Sequence, residues 1–79
     1  MEEIAVEIKG FIQNNILAPG VSIDNDSDLK AIGVDSFSIV EIVLFIERKF
    51  NKLIPGHLMV PETFVSVNSI ANVVQSIEA

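Results

Sequence analysis

The sequence predicts a small all-α protein, a single domain over residues 1–79 built as a bundle of three main helices plus one short helix. Three observations predict it. Apolar residues recur at three- and four-residue spacing in three separate segments. No period-two alternation persists, and no turn signal joins two strands. The 79 residues, 49% of them hydrophobic, suffice for one core and no more.

The first helix is expected over residues 2–17, where Ile4, Ile8, Phe11, Ile12 and Ile16 fall on one face. Glu2 and Glu3 suit the positive end of its dipole. Gly10 weakens the helix, and Ala18-Pro19-Gly20 stops it, because a residue before proline leaves the helical region. A loop over residues 19–35 follows. It is long for so small a domain, and ordered loops of that length are functional or mobile. Val21, Ile23, Leu29, Ile32 and Val34 can pin it across the helices, and Gly33 supplies a turn before the next one.

The second helix is predicted over residues 36–51, capped by Asp35 or Ser36, with Arg48, Lys49 and Lys52 at its negative end. It carries two apolar stripes. Ile39, Ile42, Val43, Ile46 and Phe50 form one; Phe37, Val40 and Leu44 lie nearly opposite, among Glu41, Glu47 and Arg48. One small core cannot bury both, so the second stripe is expected to face a partner. Phe45 belongs to neither. Pro55 and Gly56 then break the chain, and Pro61 opens a short helical turn over Pro61–Phe64. Ser66 caps a last helix carrying Val67, Ile70, Ala71, Val74 and Ile77. Val6, Ile8, Val43, Ile46 and Ile70 are expected among the core residues.

Eleven acidic against five basic residues, net charge −6, argue against nucleic acid and anionic membrane surfaces as partners and favour basic protein surfaces. No apolar run approaches the roughly 20 residues of a membrane span, so no stable membrane insertion is expected. The acidic start lacks the features of a signal peptide. The chain reads as cytoplasmic and monomeric. It has no cysteine, so any thiol chemistry needs a thiol brought by a cofactor.

Ser36 could be a nucleophile, but the lone histidine, His57, sits in a distant loop, and no nucleophile-elbow pattern surrounds the serine. His57 reads as a solvated loop residue. Asp24, Asp26, Asp28 and Asp35 occupy positions one, three, five and twelve of a calcium-loop pattern; Leu29 stands where that loop needs glycine, and Asp35 where it needs a bidentate glutamate. The competing reading is an acidic loop of turn-forming and capping aspartates. No catalytic residue and no metal site are assigned. Ser36 could instead be an attachment point, since a helix N-terminus offers free N–H groups and a favourable dipole to an attached phosphodiester. Position alone does not separate that from ordinary capping.

The string DLKAIGVDSFSIVEIVLFIERKF, residues 28–50, resembles the carrier-site helix of acyl carrier proteins, and the likeness extends along the whole chain. Asp28, Leu29, Ile32, Gly33, Val34, Asp35 and Ser36 match the family pattern, with Phe37 at the hydrophobic position after the serine. VEIV and IERKF continue the helix, and ETFVSVNSIANVV looks like the closing segment.

The resemblance implies that Ser36 receives a 4'-phosphopantetheine arm from coenzyme A through a phosphopantetheinyl transferase. Asp35 would help that enzyme and its magnesium engage the serine. Phe37, Val40, Glu41, Leu44 and Glu47 would face partner enzymes: acyl ligases, synthases or acyltransferases. The arm's thiol would hold acyl intermediates as thioesters for fatty-acid, lipid or polyketide-type synthesis. Two alternatives stay open: an aminoacyl or peptidyl carrier, and a carrier-fold interaction module that is never modified. Ser38, Arg48 and Lys49 stand where fatty-acid carriers commonly show acidic residues, and Phe37 replaces a leucine. These departures point to a specialised carrier with a dedicated ligase, synthase or transferase.

Overall fold

A computed structural model of the chain describes residues 2–17 and 20–77. It contains three α-helices, α1 (Glu2–Asn15), α2 (Ser36–Phe50) and α3 (Val67–Ser76), with two 3-10 helices, Gly56–Leu58 and Pro61–Phe64, between the last two. There is no strand among the described residues. The first 3-10 turn is an addition to the elements expected from sequence. Gly56 and Pro55 hid it: Pro55 accepts from the Leu58 amide at 2.9 Å, closing a turn too short to show periodicity.

The core forms where the three helices meet. Ile8 and Ile12 of α1, Ile42 and Ile46 of α2, and Val67, Ile70, Ala71 and Val74 of α3 are all fully buried. A large aliphatic side chain buried this way contributes about 1.5–3 kcal/mol. α1 packs on both other α-helices, and α3 also holds the Pro61–Phe64 turn. Val6 is not part of this core. It is 60% exposed, since it lies two residues before Ile8 and so roughly 200° away around the helix.

Phe45 acquires a role that the pattern of α2 alone could not show. Its ring stacks on Phe11 of α1 with centroids 4.3 Å apart and meets the edge of Phe50 at 6.2 Å. It fills the seam between α1 and α2, beside the exposed Lys49–Glu7 ion pair at 3.2 Å. An ion pair as exposed as this one adds little stability.

Each helix end has a local cause. Ile16 and Leu17 amides both donate to the Ile12 carbonyl at 3.0 Å, tightening the end of α1. The stop assigned to Ala18 and Pro19 lies outside the described residues; Gly20 beyond it has φ 90°. α2 ends at Asn51, in the left-handed conformation at φ 55°, which asparagine tolerates. Ser66 caps α3, its Oγ accepting from the Ser69 amide at 3.1 Å.

The long loop is ordered by pinning. Ile23, Leu29 and Val34 are buried, whereas Val21 is exposed, its carbonyl accepting from the Gln13 side chain at 3.0 Å. The Leu29 amide donates to Val65 O and the Asn68 amide to Asn25 O, each at 3.0 Å, so the loop runs beside the start of α3. The Asn68 side chain adds a 2.6 Å bond to Asp26. This lashing fixes the chain that delivers Ser36.

Candidate functional site

Leu29 anchors the approach to α2, and Val34 returns to it, its amide donating to Leu29 O at 3.0 Å. Between them a tight reversal is closed by the Gly33 amide on Lys30 O at 3.3 Å. Gly33 has φ 105°, a conformation that any side chain would strain. Asp28 stiffens the same turn: its Oδ1 accepts from the Lys30 amide at 3.1 Å and the Ala31 amide at 3.4 Å.

The chain then enters α2 through Asp35. Its backbone is extended, and its Oδ1 accepts from the Ser38 amide at 2.9 Å, so Asp35 is the cap. Ser36 is the first helical residue, and its hydroxyl makes no hydrogen bond among the described residues. The capping reading of Ser36 is therefore incorrect. The acceptance of the Ser38 amide, followed by the Ser38 hydroxyl, holds the Asp35 carboxyl below the usual carboxylate range. Asp35 is thus an anion throughout the neutral range, beside an exposed serine.

Ser36 opens onto a groove of about 790 Å³. One wall is the turn of Asp28, Lys30 and Gly33 with the first turns of α2; the other is the apolar stretch Met59, Val60, Pro61, Phe64 and Val65. Sequence reading missed that second wall. Met59 and Val65 are 42% and 46% exposed, and isolated apolar residues in a segment broken by proline carry no periodic signal. Thr63 holds the wall in shape, its hydroxyl donating to Leu58 O at 2.7 Å.

The second stripe of α2 runs outward from the groove. Phe37, Val40 and Leu44 are 73%, 54% and 45% exposed, Glu47 is exposed and Glu41 half-buried. Leu44 and Glu41 border a smaller recess with Phe11, Phe45 and Arg48. Of the departures from an acidic face, Lys49 is turned to Glu7 of α1, and Ser38 serves the Asp35 cap. Arg48 is exposed at the recess.

His57 lies exposed in the first 3-10 turn and is not among the residues lining the groove. Three of the four loop aspartate carboxylates have local work, Asp26 holding Asn68, Asp28 forming its turn and Asp35 capping α2, while Asp24 bonds Ser27 through its backbone amide and carbonyl. Among the described residues no three histidine, cysteine or carboxylate side chains gather as a metal site would require. No helix among them is long and apolar enough to cross a membrane.

The Ser36 hydroxyl is exposed at the first turn of α2, and His57 is not among the described residues lining its groove. The chain belongs to the phosphopantetheine-binding carrier family: the family model for the phosphopantetheine attachment site matches residues 7–75. Its members bear covalently attached 4'-phosphopantetheine. Aminoacyl carrier protein 1 of Bradyrhizobium diazoefficiens is 30% identical over 69 residues, covering 87% of this chain and 74% of its own. Two solved structures are similar. One is the Bradyrhizobium japonicum glycine:[carrier protein] ligase complexed with glycylated carrier protein; TM-score 0.71, 28% identity, covering 90% of this chain and 93% of the matched one. The other holds that ligase with its cognate carrier protein and an analogue of glycyl adenylate; TM-score 0.74, 28% identity, 94% of both chains.

Proposed function

We propose that Ser36 carries the arm and that the protein is an aminoacyl carrier, loaded by a dedicated ATP-dependent ligase. The observation that carries the attachment reading is the division of labour at the start of α2. Asp35 takes the cap, and Ser36 keeps a free hydroxyl on the groove. In the transfer, Ser36 Oγ bonds to the phosphorus bearing the pantetheine, and the phosphoanhydride of coenzyme A breaks. Adenosine 3',5'-bisphosphate leaves, and the serine proton passes to a base of the phosphopantetheinyl transferase. Asp35, already anionic, is placed to meet that enzyme and its magnesium.

The similarity to an aminoacyl carrier and to chains from carrier–ligase complexes favours an amino acid over a fatty acyl cargo. In the loading step the arm's thiol would attack an aminoacyl adenylate, forming the thioester and releasing AMP. Phe37, Val40, Glu41, Leu44 and Glu47 form the face offered to the ligase and to the enzyme that takes the cargo on. A tethered cargo reaches high effective concentration at each docked active site, with the carrier catalysing nothing.

The test is intact mass after incubation with coenzyme A, magnesium and a broad-specificity phosphopantetheinyl transferase, with Ser36→Ala alongside. One arm on the wild type alone supports the assignment. No arm, when a known carrier is modified in the same tube, overturns it in favour of an unmodified interaction module. The holo protein is then offered ATP, candidate ligases and either amino or fatty acids. A mass gain with amino acids alone supports the cargo class, and a gain with fatty acids alone refutes it.

A further inference from the structure

We propose that Lys30 is the counter-ion of the arm's phosphodiester, an inference that rests on Ser36 being the attachment site. Attaching the arm places a permanent anion one residue from the Asp35 carboxylate, and Asp28 lines the same groove. Three negative groups would then share one small surface. At the start of α2 the Asp35 carboxylate already takes the Ser38 amide, and in the preceding turn Asp28 takes the amides of Lys30 and Ala31. The helix dipole favours the phosphodiester, but the Asp35 and Asp28 carboxylates on the same surface oppose it.

Among the described residues Lys30 is the one cation lining the groove. The other four basic residues lie elsewhere. Lys49 pairs with Glu7, Lys52 donates to Val74 O at 3.2 Å, Arg48 borders the second recess, and Lys9 sits within α1. Lys30 is exposed, and among the described residues its ammonium forms no ion pair. Its backbone is also fixed. The Gly33-to-Lys30 hydrogen bond closes the turn that folds Lys30 back toward the residues entering α2, and the Asp28 side chain braces it. A flexible four-carbon stem on a rigid turn carries a point charge to a phosphate without demanding bidentate geometry. Lys30 is thus a positioning residue, holding the root of the arm against the groove.

The test is a thermodynamic cycle between the arm and Lys30. Apo and holo forms of the wild type, Lys30→Gln and Lys30→Arg are unfolded in urea at low salt and at 1 M salt, with occupancy checked by intact mass. Lys30→Gln should raise the unfolding constant of the holo form about two- to fivefold more than that of the apo form, the size of an exposed charge pair. Lys30→Arg should keep the coupling, and 1 M salt, with a Debye length near 3 Å, should abolish it. The phosphorus NMR resonance of the holo protein should shift in Lys30→Gln and stay in place in a Lys9→Gln control. Equal destabilisation of apo and holo forms would assign Lys30 a structural role and overturn the proposal alone. Failure of the wild type to gain an arm overturns the attachment reading and this one together.

Discussion

Leu29→Ala should separate the stability of the fold from the delivery of Ser36. Leu29 is fully buried, although it lies in the long loop, and both its backbone polar groups are engaged: its amide on Val65 O, its carbonyl by the Val34 amide. Truncation removes three carbons from the core, about 2.4 kcal/mol at roughly 0.8 kcal/mol each. The backbone bonds restrain collapse around the hole, so a cavity contribution of about 1 kcal/mol adds to this. The sum, about 3–4 kcal/mol, is a large part of the ~4–12 kcal/mol that per-residue averages give a domain of this length. Urea unfolding followed by far-UV circular dichroism measures it, and the melting temperature should fall by roughly 15–25 °C. Hydrogen exchange tests the local part of the argument. The amides of Ala31, Gly33 and Val34 should exchange faster by a larger factor than those in α1 or α3, and arm loading under folding conditions should slow. A loss under about 1 kcal/mol, or a uniform rise in exchange, would refute the view that Leu29 anchors the approach to Ser36.

Phe37→Ala should leave stability within about 0.5 kcal/mol, because the ring is 73% exposed. The same variant should lower kcat/KM of the loading ligase by about tenfold, the effect of losing an exposed aromatic anchor worth roughly 1.4 kcal/mol; unchanged loading kinetics would remove Phe37 from the partner face. Gly10→Ala should stabilise the protein by about 0.5–1 kcal/mol in urea titrations, since the position is helical and a Cβ there meets nothing within 4 Å. The Asp35 carboxyl is held below its ordinary value, so its contribution is present above the unfolded value near 3.9 and is lost as pH falls through the lower folded value. Urea midpoints measured against pH should therefore decline less on the acid side in Asp35→Asn than in the wild type; parallel acid branches would show that the cap does not titrate with folding.

What the sequence made legible follows the range over which each interaction acts. The three α-helices were readable because periodicity is repeated over several turns, and both stripes of α2 survive because Phe37, Val40 and Leu44 remain exposed while Ile42 and Ile46 are buried. Ser66 was identified as a cap from a residue type acting three positions ahead. Features set by tertiary contact were not readable. Phe45 had no partner until α1 brought Phe11 to it, and Val6, apolar by type, faces outward because Ala5, Ile8 and Ile12 already fill that side of α1.

The site divides along the same line. Asp35 and Ser36 were visible as a pair, but which of them caps depends on one backbone conformation. The extended geometry at Asp35 aims its carboxylate at the Ser38 amide, and the cap moves one residue upstream of the serine. That single displacement frees the Ser36 hydroxyl from capping α2. A serine spending its oxygen on the helix could be modified only by uncapping α2, whereas the proposed attachment at Ser36 would leave the Asp35 cap in place. The groove's far wall, assembled from Met59 to Val65, needed the loop's bonds to Val65 and Asn68 to bring it opposite Ser36. The long loop is therefore the element that makes a site out of a helix start. It fixes the turn that carries Lys30, sets the entry of α2 and holds the second wall, through backbone bonds together with buried Leu29, the Asp28 carboxylate and the positive φ of Gly33.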